Sequence, residues 1–148
     1  MSDCVFCRIV TGESPVSVVY EDDAVLAFLD IRPVNPGHAM VIPKRHAASL
    51  AELDEETGRH LWTIAQRTAA ALRRSGLRCE GVNLFLADRE AAFQEVRHVH
   101  LHVFPRYKGD PFKLDADWSA KPPREELDRI AAQIRTVYAQ LRADEPLA

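Results

Sequence analysis

Three of the chain's six histidines occupy alternate positions, at His98, His100 and His102, with large apolar residues between them. Because residues i, i+2 and i+4 of a β-strand share one face, this spacing predicts a strand with three imidazoles on one face and apolar side chains on the other. An imidazole can change charge near neutral pH, bind a metal ion or attack a phosphorus atom. The stretch is therefore a candidate for a metal centre or for nucleophilic catalysis, with a polar strand face that is His-rich by chance as the third alternative.

A second candidate group is the Cys4-x-x-Cys7 pair near the N-terminus. A thioredoxin-like redox motif requires a β-α-β context, which the neighbouring residues do not provide. A closed tetrahedral zinc site requires four ligands, and His46 and His98 are the best candidates for the two that the cysteines leave open. The alternative is a pair of reduced thiols that pack close to the N-terminus.

Two further polar residues stand at the ends of apolar runs. Asp30 follows the run at 25–29, and His38 comes directly after a Pro-Gly pair and begins the next apolar run. A carboxylate in such a place usually forms a turn or caps a helix, although it can also bind ribose hydroxyls. His38, taken alone, is more typical of a turn residue than of a ligand.

The composition limits the class of protein. The 148 residues, of which 47% are hydrophobic and 28% charged, suffice for one domain with a core. The net charge of -3 does not favour a general nucleic-acid-binding surface. No apolar run reaches the ~20 residues that span a bilayer, and the first residues lack the basic and apolar regions of a signal peptide. We therefore expect a cytoplasmic protein whose cysteines form no disulfide framework.

The hydrophobic periodicity predicts an α+β fold with about five antiparallel strands, one long inserted helix and one C-terminal helix. We expect a single domain over 1–148, with a core at 4–110. The predicted strands lie at 17–21, 25–29, 38–42, 82–87 and 99–105, a short helical turn at 8–11, and the helices at 54–75 and about 123–143.

These motifs together resemble the histidine triad (HIT) family of nucleotide hydrolases and transferases. Residues 98–104 match the whole of its His-φ-His-φ-His-φ-φ pattern, in which φ is hydrophobic. The resemblance covers roughly residues 4–110 and extends to the zinc-binding branch, typical of bacteria, that keeps the cysteine pair. The other matches, in the family's order and spacing, are Cys4-x-x-Cys7-x-Ile9, Tyr20-Glu21-Asp22, Ala27-Phe28-Leu29-Asp30, Pro36-Gly37-His38 and Val41-Ile42-Pro43-Lys44-x-His46.

The resemblance implies an enzyme that acts at the α-phosphate of a purine nucleotide or nucleotide conjugate. It implies that His100 is the nucleophile, that His102 and His38 surround the α-phosphate, and that Asp30 binds the ribose. The residues implied for the apolar slot of the purine base are Phe6, Ile9, Phe28 and Ile31.

The same resemblance implies a HIT-like fold, a homodimer and a structural zinc ion. The implied zinc ligands are Cys4, Cys7, His46 and His98, and four protein ligands leave no open position for a substrate. No nucleic acid or membrane partner is implied.

One departure from the family lies just before the histidine stretch. Phe93-Gln94-Glu95-Val96 stands where phosphoramidases of the family have Gly-Gln-Ser-Val or Gly-Gln-Thr-Val. We expect Gln94 and Glu95 to contact the substrate, with the Glu95 carboxylate in place of the hydroxyl that faces the leaving group. A carboxylate can protonate a leaving group or repel a polyphosphate, so adenosine phosphoramidates and dinucleoside polyphosphates both stay open as substrates.

Other interpretations also stay open. Arg106 and Lys108, which follow the histidines, can offer positive charge to an extended phosphate chain or form an exposed basic strand end. A non-catalytic or slow purine-nucleotide sensor or adaptor would keep the same pocket. A metal-dependent enzyme would instead place its metal at the three alternating histidines.

Overall fold

The computed structural model describes residues 3–142, 145 and 147. It divides into two compact units, one that ends at Phe112 and one that begins at Lys113. The elements, in chain order, are α1 (Val5–Val10), β1 (Val18–Glu21), β2 (Val25–Leu29), β3 (Ala39–Pro43), α2 (Glu55–Arg74), β4 (Gly81–Phe85), β5 (Leu101–Arg106) and α3 (Arg124–Tyr138), with short 3-10 turns at Leu50–Glu52 and Glu90–Ala92.

The five strands form one antiparallel sheet in the order β1-β2-β3-β5-β4. Phe28 of β2 lies opposite Met40 of β3, and Met40 in turn lies opposite His102 of β5. Directly opposed residues share a face of the sheet. The register therefore places His102 on the same face as Phe28. The predicted α+β fold with a five-stranded antiparallel sheet is confirmed.

Both faces of the central strands β2 and β3 are buried. The helix α2 covers one face, where the apolar residues that alternate with the histidines join its core: Val99, Leu101 and Val103. The other face carries a second core that includes Phe6 of α1: Phe6, Leu26, Phe28, Met40 and Ile42. Because alternate residues of β2 and β3 point to opposite faces, these strands contribute to both cores. The second core includes Phe6, so the N-terminal helix α1 packs on the same face as His102.

The helix α2 begins and ends as its sequence predicts. The side chain of Asp54 accepts a hydrogen bond from the backbone N–H of Thr57 at 2.8 Å, which satisfies an otherwise free helical donor. Its buried stripe has helical spacing, and Gly76 follows the C-cap Ser75 with a φ of +84°. A glycine at this position ends a helix without the steric cost of a β-carbon.

The predicted strand at 99–105 was wrong at its start. The strand β5 begins at Leu101, so His98 and His100 precede it. The backbone N–H of Val99 donates to the carbonyl of Ala47, and that of His98 donates to the carbonyl of Val96. These bonds replace sheet pairing, so the three imidazoles do not share one regular strand.

The second unit contains α3. Its predicted start at about 123 is confirmed, since Pro123 is the N-cap, but the helix ends at Tyr138. The predicted end near 143 falls on a residue outside the described part of the chain. No helix within that part combines the length and the apolar character that a membrane span requires.

Candidate functional site

The imidazole of His100 is buried, and its orientation is fixed by the backbone. Its Nδ1 lies 2.8 Å from the carbonyl oxygen of His98. A carbonyl oxygen can only accept, so Nδ1 carries a proton, and in the neutral form of the ring the lone pair is on Nε2. The ring of Phe6 packs edge-on against this imidazole, with the ring centres 5.2 Å apart. These contacts fix the orientation of the His100 ring, with Nδ1 turned toward the backbone.

Next to it, His102 and His38 form a hydrogen-bonded pair. The His38 Nε2 atom lies 2.8 Å from Nδ1 of His102. The backbone N–H of Val34 donates to Nδ1 of His38 at 3.2 Å, so the His38 proton sits on Nε2. His38 is therefore the donor to His102, and a neutral His102 carries its own proton on Nε2. Asp30 Oδ2 lies 3.6 Å from His38 Nε2 and completes the row.

Burial keeps this pair neutral. Desolvation lowers the pKa of His102 from 6.5 to about 4, and the nearby His100 and His38 rings add to the shift. Desolvation also lowers the pKa of His38, although the Asp30 carboxylate acts in the opposite direction. Both imidazoles are consequently uncharged at neutral pH and act as hydrogen-bond donors rather than as fixed positive charges.

A separate cluster contains the four residues proposed as zinc ligands. Their ligand atoms all lie within 4.8 Å of one another: Cys4, Cys7, His46 and His98. Cys4 Sγ is 3.5 Å from His98 Nδ1, Cys7 Sγ is 3.3 Å from His46 Nδ1, and Cys7 Sγ is 3.7 Å from His98 Nδ1. A tetrahedral zinc ion with ordinary bond lengths separates a sulfur from a nitrogen ligand by about 3.6 Å. The donor set fits that ion.

The protonation of His98 also fits a metal ligand. Its Nε2–H donates to the carbonyl of Pro43 at 2.7 Å, so Nδ1, which faces the two thiols, keeps its lone pair. Such a second contact is the usual way to orient a metal-binding imidazole. Burial and the neighbouring Cys4 raise the pKa of Cys7. Without a cation, this thiol therefore holds its proton more tightly than a solvated one.

The four residues implied for the base slot are not equally placed. Phe6 and Phe28 are buried, with ring centres 5.6 Å apart, and Ile9 packs against the same core. Ile31 is 93% exposed. The first three therefore pack into one apolar core, whereas Ile31 lies at the surface and stays a prediction for the base slot.

Gln94 is engaged with the backbone around it. Its Oε1 accepts from the Arg89 N–H at 2.7 Å, and its Nε2 donates to the carbonyls of Ala48 and Val96 at 2.7 and 3.0 Å. Arg89 and Phe93 have positive φ angles of 69° and 67°, which side chains other than glycine rarely adopt. The carboxamide therefore stabilises a strained loop, and the expected substrate contact of Gln94 stays a prediction.

Glu95 forms an ion pair across two loops. Its carboxylate lies 3.6 Å from Arg32, with both side chains more than 80% exposed. Arg32 comes two residues after Asp30, and its N–H donates to the Asp30 carboxylate at 2.8 Å. Exposed pairs of this kind contribute little to stability. Glu95 is thus available to a ligand, as its expected role requires.

Four residues have partners that the sequence patterns did not indicate. Arg106, for which contact with phosphates and an exposed strand end both stayed open, is paired with the Asp110 carboxylate at 2.7 Å. The Asp110 side chain is 2% exposed and also accepts from Asn35. His60, on the helix α2, is half-buried and bonds to Asp22 at 2.6 Å. Asn35 and Asp110 are 75 positions apart, so no local pattern connects them.

Comparison with known proteins agrees with this geometry. The HIT domain family profile matches residues 11–109. The adenosine 5'-monophosphoramidase of Schizosaccharomyces pombe is 34% identical over 132 residues, which cover 88% of this chain and 95% of that protein.

Two solved structures are similar along most of their length. The crystal structure of a Streptococcus mutans protein has a TM-score of 0.86 at 36% identity and covers 93% of this chain and 87% of its own. A zinc-bound histidine triad family protein from Mycobacterium smegmatis has a TM-score of 0.73 at 42% identity and covers 92% of this chain and 98% of its own. The chain therefore belongs to the HIT domain family, as its motifs predict.

Proposed function

We propose that this member of the HIT domain family is a nucleotide hydrolase or nucleotidyl transferase that acts at the α-phosphate of its substrate. The substrates we propose are adenosine phosphoramidates or dinucleoside polyphosphates. The observation that carries the proposal is the hydrogen bond from His100 Nδ1 to the carbonyl of His98. This bond selects the tautomer of the neutral ring in which Nε2 has the lone pair, which is the form that a nucleophile requires.

The reaction proceeds in two displacements at phosphorus. The lone pair of His100 Nε2 forms a bond to the α-phosphorus while the bond to the leaving group breaks, and the leaving group takes that electron pair and a proton from solvent. Water then attacks the phosphorus and returns one proton to solvent, the phosphorus–nitrogen bond breaks, and the electron pair returns to Nε2. The nucleotidyl-histidine intermediate divides one difficult displacement into two easier ones.

The neighbouring imidazoles stabilise the phosphate and the leaving group. His102, with its proton on Nε2, is a donor to a phosphoryl oxygen or to the leaving atom. The low pKa of His102 keeps it from carrying charge before a substrate arrives, and the approach of an anion favours its protonation. We assign Asp30 to the ribose hydroxyls, and Phe6, Ile9, Phe28 and Ile31 to the base.

The cysteine–histidine cluster is proposed as a structural zinc site. Cys4, Cys7, His46 and His98 have the distances of a tetrahedral donor set, and the M. smegmatis relative is zinc-bound. A bound zinc ion supplies cross-links between three distant segments rather than chemistry at phosphorus. His98 connects the two sites, because the carbonyl of this ligand orients His100.

We also propose that the protein acts as a homodimer. The edge strand β4 carries Phe85 with 41% of its surface exposed, and α3 exposes an apolar stripe that contains Leu127, Ile130 and Ile134. Two apolar surfaces of this kind favour a second copy of the chain as the partner. Light scattering is expected to give twice the 16.7 kDa mass of one chain, and a single-chain mass at micromolar concentration would contradict the proposal.

The test of function is hydrolysis of a substrate panel by matched variants. The panel contains adenosine 5'-phosphoramidate, diadenosine tetraphosphate and adenosine 5'-phosphosulfate. We expect His100→Gly to abolish turnover and to keep AMP binding by calorimetry. His60→Gln is the control, because His60 bonds to Asp22 outside the site, and it should retain turnover. Near-normal turnover by His100→Gly would contradict the assignment.

A further inference from the structure

A buried carboxylate lies just after the strand β5, which carries His102. The Asp110 side chain is 2% exposed and accepts from Arg106 through Nε at 2.7 Å and Nη2 at 2.9 Å. It also accepts from Asn35 at 2.9 Å and from the backbone N–H groups of Tyr107 and Phe112. A buried charge needs such complete pairing. These five hydrogen bonds hold the Asp110 carboxylate in one position.

Asn35 connects the Asp110 carboxylate to the loop that carries His38. Its Nδ2 donates both to Asp110 and, at 2.9 Å, to the carbonyl of Pro105 at the end of β5. The backbone carbonyl of Asn35 accepts from the backbone N–H of His38 at 3.0 Å. Among the described residues, Asn35 Oδ1 is buried and accepts no hydrogen bond. Leaving a buried acceptor without a hydrogen bond costs free energy. The two hydrogen bonds that the Asn35 side-chain amide donates must therefore stabilise the fold by more than this cost.

The turn held by Asn35 decides where two imidazole protons sit. Within it, the Val34 N–H donates to Nδ1 of His38 at 3.2 Å, which places the His38 proton on Nε2. The His38 Nε2–H in turn donates to Nδ1 of His102 at 2.8 Å. A shift of the turn would remove the Val34 donor, and His38 would then be free to adopt its other tautomer.

A second route runs from the same carboxylate through stacked rings. The Arg106 guanidinium lies 4.3 Å from the centre of the Phe112 ring, which packs on Phe104 at 5.2 Å. Phe104 packs on His38 at 4.4 Å and lies parallel to His102 at 5.3 Å. Loss of the Arg106–Asp110 pair would therefore loosen both imidazoles.

We propose that Asn35, Arg106 and Asp110 are positioning residues that hold the His38 turn and so fix the proton of His102 on Nε2. The kinetic consequence rests on the proposed function, whereas the tautomer of each imidazole can be measured without any substrate. The alternative is a purely structural cluster. Asp22 provides the comparison, because it too accepts several hydrogen bonds, from Tyr20, His60 and two backbone N–H groups, outside the site.

The experiment compares Asn35→Ala and Asp110→Asn with the control Asp22→Asn in the zinc-loaded protein. Long-range proton–nitrogen NMR reports the tautomer of each imidazole, and steady-state assays with adenosine 5'-phosphoramidate give kcat and KM. We expect wild-type His38 and His102 to carry the proton on Nε2. Both site variants should show the Nδ1-protonated form of His38. Their kcat should fall by about 10- to 100-fold with KM within about twofold, because a small displacement of a catalytic group lowers the rate by that factor.

The control and a milder variant separate position from stability. Asp22→Asn should lower the urea midpoint and leave the tautomers and kcat unchanged. Arg106→Lys, which keeps the charge but loses the two-point contact, should give an intermediate effect in a folded protein. Unchanged tautomers and kcat in all three site variants would overturn the proposal. If the wild-type protein hydrolyses none of the panel, the proposed function fails, and the NMR spectra alone decide the positioning role.

Discussion

Gly37 directly precedes His38 and is the position where a single methyl group tests the packing of the site. It has a φ of +96°, and a Cβ built on it would lie 2.8 Å from Leu72 Cδ2 and 2.9 Å from Leu77 Cδ1. Gly76 provides a matched control, because it has a φ of +84° and no atom within 4 Å of the same built Cβ. Alanine at either position must adopt an unfavourable positive φ, but only the methyl group of Gly37→Ala also clashes with neighbouring side chains.

The two costs can be added from these contacts. A positive φ costs a side chain other than glycine about 1–2 kcal/mol, and overpacking costs about 1–3 kcal/mol. Leu77 is 41% exposed and can move aside, whereas Leu72 is buried on α2. The overpacking cost should therefore lie near the lower end. We expect Gly37→Ala to lose about 2–4 kcal/mol of unfolding free energy and Gly76→Ala about 1–2 kcal/mol.

Urea unfolding followed by circular dichroism measures both variants. We also expect Gly37→Ala to lower kcat, because it displaces His38, and Gly76→Ala to leave kcat unchanged. Adding Leu77→Ala to Gly37→Ala should recover part of the overpacking cost. Equal stability losses in the two glycine variants would refute the reasoning, since the Leu72 and Leu77 contacts would then have no effect.

Three further predictions concern the zinc cluster, the buried imidazoles and the leaving-group side. Elemental analysis of Cys4→Ala should find less than one zinc ion per chain, and the urea midpoint of unfolding should fall. The single-turnover rate should change less than the stability does. Retained zinc, or a lost rate at unchanged stability, would contradict a structural metal. Because the pKa of His102 falls from 6.5 to about 4 on folding, the unfolded chain binds a proton that the folded one excludes, and stability drops as the pH falls through that window. His102→Gln should abolish up to about 3 kcal/mol of this drop between pH 7 and 4; an identical pH dependence in both proteins argues against the buried neutral imidazole. Glu95→Ser should raise kcat/KM for diadenosine tetraphosphate by about fivefold, the effect of one like charge near 4 Å in water, and an equal gain from Glu90→Ser on the same loop would show that Glu95 has no special place.

Much of the fold follows from local patterns in the sequence. The strand β2 has the predicted bounds, because its apolar run is limited by Asp22-Asp23 on one side and Asp30 on the other. The helix α2 differs from its prediction only in that the predicted first and last residues, Asp54 and Ser75, are its caps. Propensity and hydrophobic period act within a few residues, so they suffice for elements of this kind.

The parts that the sequence did not predict depend on contacts between distant segments. The alternation of histidines has the period of a strand, yet the N–H of Val99 bonds to Ala47, which lies outside the sheet. The Asn35–Asp110 contact joins a proline-rich turn to the residues after β5. Ligand type was more informative, because the four residues predicted for zinc lie together in the fold although they span 94 positions.

The most direct test of the central claim is to find the covalent intermediate. Rapid acid quench of adenosine 5'-phosphoramidate with stoichiometric enzyme, followed by mass spectrometry of the intact protein and of its peptides, reports any adenylyl group and its position. We predict one adenylyl group, on His100, that forms before product release and is absent from His100→Gly. Full single-turnover hydrolysis without an adenylated enzyme, or an adenylyl group on another residue, would contradict the account.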